Sequence, residues 1–293
     1  MNGFLIVHKP TGMTSHDVVN AVRRLAGTRR VGHAGTLDPL ATGVLVLALG
    51  AATRLVQFID GSDKTYRATL RLGETTTTYD AEGDVVEHRP VTVDQAAVEV
   101  TLADFRGAIE QIPPMYSAVK VKGQKLYKLA RQGKEIERAA RPVTIHRLDV
   151  LDWALPDLTI EVVCSAGTYI RSLAHDVGQA LGCGAHLTAL TRTAAGDFRL
   201  EDSHTLEALD ALAQAGRLAE VLLPPETALA ALPVVVLTPE QEQAVRFGQT
   251  LTLDITYDAE MAQARNAVGW LVAVMLPTEP GMWRPKLVFS SAD

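Results

Sequence analysis

Cysteine is nearly absent: the 293-residue chain has two, Cys164 and Cys183. So small and unpatterned a set cannot build a disulfide framework, which favours a reducing compartment with both thiols buried. Long apolar runs are missing too. The longest, such as Val44 to Leu49 and Leu232 to Leu237, fall far short of the roughly 20 residues that span a bilayer. The opening MNGFLIVHKPTGMTS has one short apolar stretch, broken by His8 and Lys9, unlike the longer core of a secretory signal. A cytoplasmic protein without membrane attachment is expected.

Several chemistries lack their signatures. There is no Cys-x-x-Cys, and neither His175-Asp176 nor His186 stands at a metal-ligand spacing, so no metal is expected. No Gly-x-Gly-x-x-Gly follows a strand and no Walker-type lysine occurs, so no nucleotide cofactor is indicated. A serine hydrolase would want a Gly-x-Ser-x-Gly elbow, and none is present. Any chemistry must rest on a carboxylate, without a cofactor. No stretch is dominated by Pro, Ser or Gln, and 47% apolar with 21% charged residues describes an ordinary globular chain. Its length favours one large domain plus a small one.

Positive charge is also scarce, with a net −6 that argues at face value against a polyanionic partner. The distribution says otherwise. Ala118 to Arg147 holds nine basic residues (Lys120, Lys122, Lys125, Lys128, Arg131, Lys134, Arg138, Arg141 and Arg147) against Glu135 and Glu137. That window carries +7 and leaves the rest of the chain at −13. Such segregation suits an oriented polyanion contact, although a solvated helix face would have the same composition.

Periodicity predicts a strand over Gly3 to His8, then a helix capped at Thr14-Ser15 and running to about Leu25, with Arg23, Arg24, Arg29 and Arg30 clustered at its end. Val44 to Leu49 suits a buried strand, Thr53 to Ile59 a short helix, and Lys64 to Leu72 another strand. Gly73 to Glu87 reads as a hairpin or exposed excursion and Val93 to Ile109 as a helix. Further helices are expected near Lys125 to Gln132, Tyr169 to Leu181 and Leu206 to Ala215, with strands over Val143 to Trp153 and Leu158 to Cys164. Leu223 to Glu226 offers a linker. Beyond it, Val234 to Leu237, Thr250 to Leu253 and Gly269 to Leu276 make a small β-rich module. The mixture without a βαβ rhythm predicts an α+β fold on a mixed, largely antiparallel sheet.

The most unusual stretch is Val31 to Gly43, VGHAGTLDPLATG, whose glycines and proline forbid regular structure and demand a shaped loop. Asp38 is its one acid. A carboxylate and an imidazole held between glycines beside a core strand suit a catalytic loop, while an Asp–Pro turn is the other reading. Arg171 could pair with a buried carboxylate or simply form a surface ion pair. Tyr66 and Tyr169 could stack on a flat ligand or belong to the core.

These residues fall into a known order. His8-Lys9-Pro10-Thr11-Gly12-Met13-Thr14-Ser15, Gly32 to Gly43, Lys64-Thr65-Tyr66-Arg67, Pro113 to Ala118, Leu126 to Gly133, Arg141-Pro142-Val143, Cys164 to Arg171 and Leu187 to Gly196 together resemble the TruB family of bacterial tRNA pseudouridine synthases. The resemblance spans nearly the whole chain. It implies a catalytic domain over 1–228, with a basic RNA-binding insertion near 118–147, and a small PUA-like RNA-binding module over 229–293. It implies isomerisation of uridine 55 in the TΨC loop of tRNA, with Asp38 as nucleophile, Arg171 holding it ionised, and Tyr66 covering the uracil. Attack at C1′, attack at C6 and assisted glycal formation all remain open. His33 would fill the gap left by the extruded base, with Tyr169 and Leu190 lining the pocket. Lys9, Lys120 and Lys122 would complete the substrate contacts. A lone enzyme, a monomer with tRNA as its partner, is implied, with salt-dependent binding. The rivals are a guide-RNA-dependent synthase, a tRNA-binding or folding protein, and a glycosidase-like hydrolase, which would want a second carboxylate beside Asp38. The quoted blocks offer none.

Overall fold

The computed structural model describes residues 1–117, 119–121, 123–130, 132–134, 136–255 and 259–290, with Lys120, Val121, Lys125, Tyr127 and Lys128 described by backbone alone. The chain begins with β1 (Gly3–Lys9), α1 (Ser15–Leu25), β2 (Val31–Ala34), β3 (Thr42–Leu49), α2 (Val56–Asp60) and β4 (Lys64–Leu72). A hairpin of β5 (Glu74–Thr76) and β6 (Val85–His88) precedes α3 (Gln95–Ala103) and β7 (Gly107–Gln111). The short β8 (Lys120–Val121), β9 (Gln124–Lys125) and α4 (Leu126–Ala130) lead to β10 (Arg141–Ala154), β11 (Asp157–Cys164) and α5 (Ile170–Ala180). Then come β12 (Ala185–Ala195), β13 (Phe198–Arg199) and α6 (Leu206–Gln214). The C-terminal part is β14 (Val234–Val236), α7 (Pro239–Arg246), β15 (Leu251–Thr252), β16 (Ala262–Arg265), β17 (Leu271–Glu279) and β18 (Met282–Val288).

The main sheet has the order β1-β3-β12-β4-β11-β10-β7, with β2 on β3 and β13 on β12. Every pairing in it is antiparallel except β12 with β3. It is the mixed, largely antiparallel sheet of an α+β fold. At that parallel seam Gly43 sits at φ +98°, and a Cβ there would collide with the Arg192 carbonyl oxygen. Only glycine serves.

Local sequence explains the elements. Thr14 and Asp17 form a reciprocal capping box that starts α1, whose Val18, Val19 and Val22 face the core. β3 reads TGVLVLAL because both its faces are covered. Leu45, Leu47 and Leu49 pack with Leu5, Val7 and the helices α1 and α5. Val44, Val46 and Ala48 pack with Phe4, Ile6, Leu229, Val274 and Phe289, so the C-terminal sheet covers the second face. Each fully buried Leu contributes roughly 1.5–3 kcal/mol. That second sheet, β14-β16-β17-β18-β15, closes its own core around Leu237, Val245, Val272, Met275 and Trp283.

Two expectations need correction. Val31–Ala34 is a strand on β3, so the shaped loop begins at Gly35 rather than Val31. The helix expected over Val93 to Ile109 stops at Ala103, since Gly107 adopts φ +87° and the chain turns into β7. No strand was read over β12, because register shifts at Leu187/Ala189 and Arg192/Ala194 break its alternation. α7 was not expected either, although Thr238-Pro239-Glu240-Gln241 carries a capping-box signature; the helix buries only Val245, so its apolar period is weak.

Candidate active site

The Gly35 to Ala41 loop is held from every side. Ser15 Oγ, buried at the start of α1, donates to the Leu37 carbonyl at 3.0 Å and accepts from the Leu37 N–H at 2.8 Å. Gly12 N–H donates to the Pro39 carbonyl at 2.8 Å. Lys9 Nζ donates to the Pro10 and Pro39 carbonyls at 2.8 and 3.3 Å. On the other flank the Gly35 N–H donates to Asp60 Oδ1 at 2.8 Å, and Arg192 Nη2 donates to the Gly35 carbonyl at 2.9 Å. Asp38 therefore projects from a fixed backbone into a cleft of about 640 Å³.

At its floor Arg171 joins two carboxylates. Nη2 lies 3.0 Å from Asp38 Oδ2 and Nη1 lies 3.2 Å from Asp80 Oδ2. The same nitrogens donate to the Tyr116 and Thr78 carbonyls at 2.7 and 3.4 Å, which fixes the guanidinium plane. Arg171 leads α5, and just before it Gln111 clamps Tyr169, accepting from its N–H at 2.8 Å and donating to its carbonyl at 3.0 Å. Asp80 is 2% exposed and accepts from Thr78 Oγ1 and the Glu82 N–H, whereas Asp38 keeps 39% of its side chain open to the cleft. Desolvation raises the Asp38 carboxyl above the usual carboxylate range, Asp80 adds to the rise, and Arg171 opposes it. Burial and the same two acids also raise Glu82 at the cleft wall.

Tyr66 from β4, Leu190 and Arg192 from β12, Tyr169 and His33 complete the walls. Tyr66 and Leu190 are each 8% exposed. Burial pushes the Tyr66 phenol up, against the pull of Arg192. Burial keeps His33 below the ordinary imidazole value, so the ring is neutral near pH 7, and its Nδ1 has no hydrogen-bond partner among the described residues. Arg192 is itself 1% exposed and is anchored by Nε to the Val44 carbonyl at 2.7 Å. Among the described residues no group of three or more His, Cys, Asp or Glu side chains is placed to share a metal ion.

Known proteins share this architecture. Residues 23–170 match the family model described as TruB family pseudouridylate synthase (N terminal domain), and 171–230 match that of the tRNA pseudouridylate synthase B C-terminal domain. The chain belongs to the TruB family of pseudouridylate synthases. A relative named tRNA pseudouridine synthase B from Dehalococcoides mccartyi is 46% identical, over 99% of this chain and 97% of its own. One of the same name from Arthrobacter sp. is 45% identical, covering 100% and 98%. Among solved structures, a chain from an H/ACA ribonucleoprotein bound to a substrate RNA containing 2′-deoxyuridine matches with TM-score 0.74 and 28% identity, over 99% of this chain and 86% of that one.

In this TruB-family chain the structure brings Asp38, Arg171, Tyr66, His33, Tyr169 and Leu190 into one cleft. Lys9 is not a wall residue: it is fully buried beneath the loop, with its amine on backbone carbonyls. Lys122 lies outside the described residues, and Lys120 is described by backbone alone. Sequence reasoning passed over Asp80, Glu82, Ser15 and Arg192. A second carboxylate does accompany Asp38, but it comes from outside the quoted blocks: Asp80 shares its arginine. No helix among the described residues is long and apolar enough to cross a membrane.

Proposed function

We propose that the protein isomerises uridine to pseudouridine at position 55 in the TΨC loop of tRNA, with Asp38 as the nucleophile. The observation that carries this reading is an open carboxylate, paired at 3.0 Å with a buried arginine, on the floor of a cleft lined by aromatic and aliphatic side chains. In the reaction the N1–C1′ bond breaks, the uracil turns, C5 bonds to C1′, C5 loses a proton and N1 gains one. No electrons enter or leave, so no redox partner is called for. Asp38 acts at C1′, acts at C6 or assists glycal formation, and each route needs it ionised beside the base.

Arg171 offsets the desolvation that would protonate Asp38. Tyr66 and Leu190 enclose the ring. The raised Tyr66 phenol is protonated near pH 7, which suits a covering surface better than a base. His33, neutral and on the cleft wall, fills the space vacated by the extruded base, whose unstacking costs a few kcal/mol. Lys9 acts by shaping the loop. We assign 1–228 to catalysis, 229–293 to a PUA-like RNA-binding module and the 118–147 window to RNA phosphates. The enzyme works in the cytoplasm as a monomer on tRNA, without a guide RNA. Near-full-length likeness to proteins named tRNA pseudouridine synthase B supports this over a guide-dependent synthase. Asp80 does not make the site a glycosidase, because it is sealed by Arg171, Thr78 and the Glu82 N–H.

The test is an unmodified tRNA transcript incubated with the protein and with Asp38→Asn, followed by chemical mapping of pseudouridine. Conversion at position 55 that disappears in the variant is expected. Binding without conversion by either protein would leave a tRNA-binding or folding protein.

A further inference from the structure

The arginines behind α1 play no part in the cleft. From Val18 to Leu37 the chain has no acidic residue, yet it holds Arg23, Arg24, Arg29 and Arg30. Arg23 serves the fold locally, since its guanidinium donates to Asn20 Oδ1 at 3.1 Å and to the Val31 carbonyl at 3.0 Å, tying the end of α1 to β2. The other three are exposed. Arg30 donates at 3.3 Å to Thr53 Oγ1. Among the described residues none of the three is ion-paired with a carboxylate. The helix macrodipole accounts for Arg24 in the last turn, but Arg29 and Arg30 lie beyond the helix.

Position gives the cluster a meaning. β2 starts at Val31, beside Arg30, and carries His33 to the cleft, three residues or roughly 10 Å further along. A strand whose uridine enters the cleft beside His33 can lay its flanking phosphates on these arginines. β2 and β12 share the edge of β3 that faces β4, while β10, which carries Arg141 and Arg147, lies beyond β4 and β11. Among the described residues, basic side chains therefore stand on both sides of β4, with Arg24, Arg29 and Arg30 near β2 and Arg141 and Arg147 on β10.

We propose that Arg24, Arg29 and Arg30 form a second phosphate-binding surface, which holds the RNA on the side of the cleft opposite the basic window. The proposal rests on the RNA-modifying reading above. Phosphate contacts on both sides keep the strand in place while the base between them is unstacked.

The experiment compares the full-length protein with Arg24→Gln/Arg29→Gln/Arg30→Gln, with Arg29→Gln alone, and with Arg217→Gln, which removes a cation paired to Glu220 elsewhere. Binding of an unmodified tRNA transcript is measured across a salt series, together with kcat and KM. The triple variant should bind about 10- to 100-fold more weakly, with a log-affinity against log-salt slope shallower by about 3. Arg29→Gln should shift that slope by about 1, and Arg217→Gln should leave it unmoved. kcat at saturating tRNA should stay at the wild-type value. Wild-type slope and KM in both Arg29 variants would overturn the proposal, as would an equal change in Arg217→Gln. Failure of the wild type to convert uridine would instead sink the functional reading, and the slopes would still report on the surface.

Discussion

Asp38 and Asp80 meet one guanidinium from different elements, and their surroundings give them different duties. Asp38 stands on a backbone fastened by Ser15, Gly12 and Lys9, and its side chain keeps 39% of its surface open. Asp80 is closed off at 2%, with Thr78 Oγ1, the Glu82 N–H and Arg171 on its carboxylate. The chemistry of the two side chains is identical. What separates an open carboxylate from an anchoring one is how many of its lone pairs the protein has already filled. The arginine needs both: Asp80 fixes its position, and Asp38 receives its field.

Removing the open carboxylate should have the largest effect. Asp38→Asn is expected to lower kcat by about four orders of magnitude, the scale of losing a central catalytic group, while tRNA affinity stays near wild type. A residual rate within about tenfold of wild type would refute the nucleophile assignment. Arg171 comes next. Arg171→Met leaves Asp80 buried and unpaired, so urea unfolding should show a loss of about 3–5 kcal/mol. Arg171→Lys keeps the charge but cannot fork to both acids, and kcat should fall roughly 100-fold with a smaller loss of stability. Equal stability in the two variants would mean that Asp80 does not depend on the arginine.

The contrast also marks what the sequence could tell. The Asp38 loop was legible because glycines and a proline around a lone carboxylate have no place in regular structure. Asp80 was not. It sits in the polar run Thr75 to Asp84, which reads as an exposed hairpin, and nothing local buries it. Its burial comes from Tyr79 at φ 65° and from the pairing of Asp80 with Leu187 on β12. That strand is a hundred residues distant and was itself hidden by two register shifts. Arg192 was missed for the same reason. α1, β3, β4 and β11 were legible because each carries a cap, a continuous apolar run or an unbroken alternation. β10 was legible despite two register shifts of its own, because its Val143-Thr144-Ile145 run marks a strand where the alanines of β12 do not.

Asp80→Asn sharpens the comparison through pH. The Asp80 charge is one of the causes that raise Asp38, so neutralising it should let Asp38 ionise at lower pH. The acid limb of the kcat profile should move down. At neutral pH kcat should fall about 10- to 100-fold as Arg171 loses one anchor, the usual scale for a partner that orients a functional group. An acid limb that stays in place or moves up would show the two carboxylates to be uncoupled.

Lys9→Met should have the smallest effect, and it tests the fastening of the open carboxylate. Loss of the Nζ contacts leaves the Pro10 carbonyl without that donor, while the Pro39 carbonyl keeps the Gly12 N–H, so about 1–3 kcal/mol of stability should go at pH 7. Burial lowers Lys9 from the ordinary 10.5 to about 8. Between those values the unfolded chain holds a proton that the folded protein has released, so this group's contribution to stability rises with pH across the window. Urea unfolding of the two proteins at neutral pH and about two units higher reads that difference directly. The gap between wild type and Lys9→Met should widen at the higher pH, because only the wild type gains. A gap that stays constant would mean that Lys9 titrates as an exposed lysine does, and that the Asp38 loop is held without it.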